Sequence, residues 1–67
     1  MEQQMRRIVN EVFYDLQQAS ADCGEELCAE GLADYLGDRM HDECAGYRAM
    51  PYEQRRAVAL RVAQEYV

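Results

Sequence analysis

The sequence predicts an all-α fold, a small three-helix bundle, and three observations lead to this prediction. Among the 67 residues, the helix formers Ala, Glu, Gln, Arg and Leu are plentiful, whereas Thr and Trp are absent and strand formers are sparse. Apolar residues recur at three- and four-residue steps in three segments. Two short breaks, at residues 20–24 and 46–51, separate these segments, and connections this short place consecutive helices antiparallel.

The first helix is predicted from about residue 2 to residue 19, where the periodic signal is clearest. Seven apolar residues fall within one stripe at helical spacing: Met5, Ile8, Val9, Val12, Phe13, Leu16 and Ala19. The opposite face is polar and carries Tyr14 among Gln, Arg, Asn and Glu side chains. We therefore expect the stripe to be buried and Tyr14 to be exposed.

A second helix is predicted over residues 25–45, after the first break. Asp22, followed three residues later by Glu25, resembles a capping box with Asp in the usual Ser or Thr place. One apolar stripe continues through the segment and holds Ala29, Leu32, Ala33, Leu36, Met40, Cys44 and Tyr47. Gly31 and Gly37 each cost about 1 kcal/mol relative to Ala inside a helix, so a kink or split there is the alternative. The continuous stripe favours one helix.

The third helix is predicted from about residue 51 to residue 66. Pro51 suits its first turn because the missing backbone donor would have no helical partner there. The apolar arc of this helix is wide, and Arg55 and Arg56 lie inside it. Its apolar members are Tyr52, Val58, Ala59, Leu60, Val62, Ala63, Tyr66 and Val67. The first two helices are too small to cover all of this apolar surface. A homodimer or an interface with a partner protein therefore remains an alternative.

Length and net charge narrow the functional classes. A single domain over residues 1–67 buries only about 60% of the surface of its unfolded chain, which leaves little room for a deep catalytic cleft. The net charge of −6 opposes direct binding to nucleic acid or to an anionic membrane. No apolar run reaches the roughly 20 residues that a membrane span needs, and no signal peptide is recognisable. The sequence predicts a cytoplasmic protein with free thiols and no enzymatic activity.

Negative charge is concentrated in the middle of the chain. Residues 11–43 hold ten acidic side chains and one arginine, a net charge of −9, whereas both ends are mildly basic. Four of these acids are spaced four apart and form one line on the polar face of the second helix. We call this line the acid row, and its members are Glu30, Asp34, Asp38 and Asp42.

Two interpretations of the acid row remain open. In the first, it is a solvated face, or arginines of the last helix pack against it within the same molecule. The candidate arginines are Arg55, Arg56 and Arg61. In the second, the row is a docking surface for a basic partner, with carboxylates spaced on the scale of the phosphates of a nucleic-acid strand.

Two groups of residues have the chemistry of a metal or catalytic site. Cys23, Cys28, His41 and Cys44 are the residue types of a zinc site, but their C-x4-C and H-x2-C spacing differs from the usual tight pairs. A carboxylate, a base and a thiol lie at helical spacing in Asp38, His41 and Cys44, which superficially resembles a catalytic group. The sequence contains no loop that would stabilise an oxyanion. We expect Cys44 in the core, Cys28 half-buried and Cys23 in a turn. No metal, cofactor or catalytic residue is predicted.

One short segment resembles part of a DNA-binding motif. Leu32 to Gly37 is similar to the first half of a helix-turn-helix, in which a helix ends at Leu-Gly before the recognition helix. The next residues, 38–43, carry three acidic side chains where phosphates and base edges would lie. A helix-turn-helix-like regulator is therefore the less favoured alternative, although a turn at Gly37 would preserve the geometry without the activity.

The tyrosines divide into core residues and candidate anchors for a partner. Tyr47, Tyr52 and Tyr66 lie on apolar stripes and are expected in the core, whereas Tyr14 and Tyr35 are candidate anchors. The predicted partner-binding residues are Glu30, Asp34, Asp38, Asp42, Tyr14 and Tyr35.

The predicted function is protein binding rather than chemistry. The favoured role is that of a small inhibitor whose acid row occupies the basic, nucleic-acid-binding groove of a partner protein. Phage-encoded anti-CRISPR proteins are an analogy of function, and no resemblance of sequence is implied. The main alternative is a homodimeric, structural or subunit-like bundle that uses the apolar arc of the last helix.

Overall fold

A computed structural model describes residues 1–67 and shows an all-α protein, which confirms the predicted fold class. Its helices are α1 (Glu2–Asp22), α2 (Ala29–Glu43), α3 (Ala45–Arg48) and α4 (Tyr52–Ala63), and there is no strand. Three of the helices are long, whereas α3 comprises a single turn. None of the helices combines the length and the apolar character that crossing a membrane requires.

Gly24 stops α1 with a Schellman motif, three residues later than predicted. Its φ is +76°, a left-handed conformation that glycine adopts at little cost. The Gly24 amide donates to the Ala21 carbonyl, and the Glu25 amide donates to the Ser20 carbonyl, each at 2.9 Å. These two bonds satisfy carbonyls that the end of the helix leaves free. Asp22 is therefore the last residue of α1, and its predicted role in a capping box is wrong.

The start of α2 lies at Ala29, four residues later than predicted. Its N-cap is Cys28, which has an extended backbone and whose Sγ accepts a hydrogen bond from the Gly31 amide at 3.3 Å. Residues 25–28 form the connection from α1, and Leu27 packs against the core from there. The expected half-burial of Cys28 is also wrong, because capping keeps this side chain at the surface.

Both glycines of α2 lie inside one continuous helix that reaches Glu43. The alternative of a split helix is therefore wrong, and the chain does not turn at Gly37 as a helix-turn-helix would. A side chain at residue 37 would crowd its neighbour. A Cβ on Gly37 would lie only 3.1 Å from the hydroxyl oxygen of Tyr47.

The short helix α3, which the sequence does not predict, carries Tyr47 into the core. Tyr47 is 4% exposed, as expected, whereas Cys44 before it is only half-buried and packs against the core instead of lying inside it. Arg48 follows and donates from Nη1 to the carbonyls of His41 and Asp42 at 2.6 and 3.2 Å. These bonds cap the C-terminal end of α2, so α3 fixes the end of the neighbouring helix as well as filling the core.

The last long helix, α4, begins at Tyr52 directly after Pro51 and ends at Ala63. Tyr52 is 69% exposed, so its predicted place in the core is wrong. Arg55 donates from Nη1 to the Met50 carbonyl at 2.8 Å, and its guanidinium carbon lies 5.8 Å from the centre of the Tyr52 ring. The first turn of α4 therefore carries an aromatic ring and a cation at the surface.

The hydrophobic core is formed by all four helices. Its buried members are Met5, Ile8, Val9, Leu32, Ala33, Leu36, Met40, Tyr47, Ala59, Val62 and Ala63. In α1 only the first half of the stripe is fully buried. Phe13 and Leu16 are partly exposed, and Phe13 stacks against Tyr66 with ring centres 5.7 Å apart. No polar or charged side chain is buried, so the charges of the protein lie at its surface.

The contact between Gly37 and Tyr47 predicts an energetic coupling between these positions. In the wild type, Gly37→Ala combines a gain in helix propensity of about 1 kcal/mol with crowding against the Tyr47 hydroxyl. Little or no stabilisation is therefore expected. In the Tyr47→Phe background, which lacks the hydroxyl, Gly37→Ala is expected to stabilise the protein by about 1 kcal/mol. Urea unfolding of the four proteins measures the coupling, and equal effects in both backgrounds would contradict it.

Candidate partner-binding surface

The acid row lies on the outer face of α2. All four of its side chains are exposed, on the side of the helix opposite the buried Leu32, Leu36 and Met40. Because 3.6 residues make one turn, successive members rise about 6 Å along the helix and turn about 40° around it. The row is thus a slowly winding line of carboxylates about 18 Å long.

One carboxylate of the acid row is neutralised by an arginine of α4. Arg56 Nη1 lies 2.5 Å from Asp34 Oδ1, so one of the three candidate arginines does pack against the row. Arg55 instead binds backbone carbonyls, and Arg61 pairs with Glu2 at 2.8 Å. The other three carboxylates of the row have no ion-pair partner within the protein.

Most of the remaining arginines are also engaged away from the row. Arg6 donates two hydrogen bonds of 2.8 Å to Glu65, and Arg39 pairs with Glu43 one turn further along α2. Hydrogen bonding from these arginines holds the pKa of Glu65 and that of Glu43 below their usual value. Arg7, on the polar face of α1, is the one arginine without a side-chain or backbone partner. Only Arg56 therefore pairs with a carboxylate of the acid row, whereas Arg48 and Arg55 are held by backbone carbonyls.

The two candidate aromatic anchors lie in different places. Tyr14 is 70% exposed, as expected, but it lies on the polar face of α1, away from the core and from α2. Tyr35 borders the acid row and is half-buried. Its hydroxyl accepts a hydrogen bond from Arg39 Nη1 at 3.1 Å, and the Arg39 guanidinium lies 6.0 Å from the ring centre. The fold brings Tyr35, but not Tyr14, next to the row.

A shallow groove of about 200 Å³ lies between α2 and α4, beside the acid row. Its floor consists of the small residues Ala33, Gly37 and Ala59. The acid row borders this groove, because Asp34 and Asp38 line its α2 side. The α4 side is lined by Tyr52, Arg55 and Arg56, and His41 and Tyr47 complete the lining.

Two groove residues, Tyr52 and His41, are not among the predicted site residues. His41 is exposed, and it lines the groove because α4 packs against α2. For Tyr52 a sequence signal exists. Pro51 is the N-cap, so Tyr52 is the first residue of α4. The first residue of a helix lies at the end of the bundle, where fewer neighbouring side chains can cover it.

The three cysteines do not converge on one site. Cys23 and Cys28 are exposed at the two ends of the connection between α1 and α2, whereas Cys44 lies at the opposite end of α2. All three thiols are free. No three His, Cys, Asp or Glu side chains are grouped as ligands of a metal ion.

Comparison with known proteins gives no relative. The chain matches no protein-family model, and no curated protein or solved structure shows significant similarity to it. The acid row and the adjoining groove are therefore the basis for a functional proposal.

Proposed function

We propose that the protein is a non-enzymatic, cytoplasmic inhibitor that binds a partner protein through the acid row. The partner presents a basic groove that normally holds nucleic acid, and the row takes the place of the phosphates. The observation that carries this proposal is the set of exposed carboxylates on one face of α2, three of which have no counter-ion in the protein.

Repulsion between the carboxylates of the acid row favours contact with a basic partner. Neighbouring like charges four residues apart destabilise a helix by about 0.2 to 0.5 kcal/mol per pair, and the row contains three such pairs. Arg56 relieves the repulsion at Asp34, which belongs to two of these pairs, and the pair of Asp38 and Asp42 has no such relief. A basic surface that meets the whole row would remove the remaining repulsion and form new ion pairs.

The charge of the whole protein supports the same proposal. A net charge of −6 on 67 residues, concentrated between residues 11 and 43, attracts a positively charged surface over several ångströms and speeds association. Salt screens such attraction, with a Debye length of about 8 Å at physiological ionic strength. Binding through the acid row is therefore expected to weaken steeply as salt increases.

A capture experiment with two elution steps tests the proposal. The immobilised protein is incubated with a lysate of its host cell, and bound protein is eluted either with increasing salt or with nucleic acid. A partner that leaves at moderate salt, and that nucleic acid displaces at low salt, is the expected result. A partner that resists high salt, or that nucleic acid does not displace, would contradict docking through the acid row.

A homodimeric bundle that uses the apolar arc of the last helix is the second candidate. Ala59, Val62 and Ala63 of that arc are buried in the core, so Val67, which is 46% exposed, and the partly buried residues beside it are the surface left for a second copy. Sedimentation equilibrium decides between the candidates, since a dimer that Val67→Asp converts to a monomer would support the second. A monomeric wild type at high concentration would exclude it.

A further inference from the structure

Arg56 reaches the acid row from another helix. Its Nη1 lies 2.5 Å from Oδ1 of Asp34, so this ion pair joins α4 to α2. The other ion pairs lie within α1 or within α2, or join α1 to the C-terminal part of the chain. Asp34 is the second of the four carboxylates, between Glu30 and Asp38. The row is therefore interrupted by a positive charge that belongs to the protein itself.

A competing charge can replace Arg56 at Asp34. One guanidinium nitrogen contacts one carboxylate oxygen in this pair, whereas Arg6 binds Glu65 through two hydrogen bonds. The Asp34 side chain is 71% exposed, so a basic group from another protein can reach it. Exposed ion pairs add little to the stability of a protein. Breaking the pair is therefore expected to leave the fold intact.

We propose that Arg56 competes with the partner protein for Asp34 and thereby limits the affinity of the acid row. The inference rests on the proposed function and assigns a regulating residue to the same surface. A basic surface that lies along the whole row must either displace Arg56 or give up one of four contacts. Asp38 and Asp42 are neighbours in the row and have no ion pair, so they are the carboxylates that a partner binds without competition.

Removing the charge of Arg56 is expected to strengthen binding to a basic ligand. In Arg56→Gln, Asp34 becomes available, and the expected gain in affinity is about threefold, the size of one exposed ion pair. Arg56→Lys keeps the charge and is expected to bind as the wild type does. If Arg56 only held α4 against α2, its replacement by Gln would leave affinity unchanged or lower it.

An NMR titration that follows the side-chain carboxyl carbons tests the proposal. The probe is decalysine with blocked termini, added at low salt to the ¹³C-labelled protein. In the wild type, the carbons of Asp38 and Asp42 are expected to shift, with a much smaller change at Asp34. In Arg56→Gln, the Asp34 carbon is expected to shift as far as the other two, and the peptide should bind about threefold more tightly.

Arg61→Gln is the matched control. It also removes one arginine of α4, but the partner of Arg61 is Glu2, which lies outside the acid row. Both variants lose one positive charge, so a general charge effect would appear in both. Arg61→Gln is expected to bind the peptide as the wild type does. Equal gains in the two variants would overturn the proposal, as would an unchanged affinity of Arg56→Gln or an Asp34 carbon that does not move in it.

A double substitution separates competition at Asp34 from other effects of Arg56. In the Asp34→Asn background there is no carboxylate to release, so adding Arg56→Gln is expected to change affinity no more than Arg61→Gln does. A threefold gain that persists in this background would overturn the proposal, because Arg56 would then act on a different group.

The outcome is separable from that of the proposed function, because decalysine has no nucleic-acid groove. If Arg56→Gln binds the peptide no better but nucleic acid displaces the captured partner, the role of Arg56 fails and the proposed function stands. If Arg56→Gln releases Asp34 as expected but the partner tolerates a neutralised acid row, the proposed function fails and Arg56 remains a competitor for Asp34.

Discussion

Replacing Leu36 with alanine is expected to lower the free energy of unfolding by about 3 kcal/mol. Leu36 is 0% exposed and lies in the middle of α2, where that helix packs against α4 and α1. Truncating a buried leucine removes apolar burial and leaves a cavity, which together cost about 2 to 5 kcal/mol. A domain of this size has only about 3 to 10 kcal/mol of stability in total. The variant should therefore lose much of its stability, which urea unfolding followed by circular dichroism measures.

Leu16→Ala is the matched control for the core substitution. Leu16 also lies inside a helix, so the change in helix propensity is the same, but its side chain is only partly buried in the second half of α1. A loss of about 1 kcal/mol is expected there because less apolar surface is removed from contact. Equal losses for the two variants would contradict the placement of Leu36 inside the core and of Leu16 at its edge.

The fold class and the long helices could be predicted from the sequence because apolar spacing alone carries that information. Met5, Val9 and Leu36 lie on stripes of helical period, and each is buried. The stripe also shows that α2 continues through Gly37, against the propensity of glycine. Periodicity is therefore the reliable signal in this chain, and it outweighs single residues that disfavour a helix.

Helix ends could not be predicted as well because short motifs with competing interpretations set them. Gly24 ends α1 through a left-handed turn, whereas Asp22 and Glu25 suggest the start of the next helix instead. The N-cap of α2 is Cys28, whose sulfur accepts the capping bond, although Ser, Thr, Asp and Asn are the usual caps. A sequence pattern cannot decide between such motifs, because a helix end at Gly24 and a helix start at Asp22 are both compatible with the local sequence.

The acid row could be predicted from its spacing, but the groove beside it could not. The row needs only the four-residue repeat within one helix. The groove depends on which face of α4 packs against α2, and it joins Asp38 to Tyr52 across two helices. Gly37 leaves space in the groove because it has no side chain. The sequence does not show that Tyr47 packs close to this glycine.

Neutralising the whole acid row is expected to lower affinity for the partner roughly a thousandfold. The variant carries Glu30→Gln, Asp34→Asn, Asp38→Asn and Asp42→Asn. If each carboxylate contributes about 1 kcal/mol at the interface, the sum is about 4 kcal/mol, and each 1.4 kcal/mol is a factor of ten. The protein should stay folded, because all four side chains are exposed and only the Asp34 pair with Arg56 is lost.

A second variant with the same net charge is the control for the acid row. Four exposed acids without ion pairs are changed instead, as Glu11→Gln, Asp15→Asn, Asp22→Asn and Glu25→Gln. Both variants lose four negative charges, so their general attraction to a basic surface falls by a similar amount. The control is expected to lose less than tenfold in affinity. Similar losses in the two variants would indicate that net charge, not the acid row, attracts the partner.

Displacement of nucleic acid from the captured partner tests the central claim most directly. The purified partner is saturated with a fluorescently labelled nucleic acid, and the anisotropy of the label is followed as the protein is added. The wild type and the control variant are expected to displace all of the nucleic acid from the partner. The variant with a neutralised acid row should displace none at the same concentration. A complex in which partner, nucleic acid and protein are bound together would contradict the proposal that the acid row occupies the nucleic-acid groove.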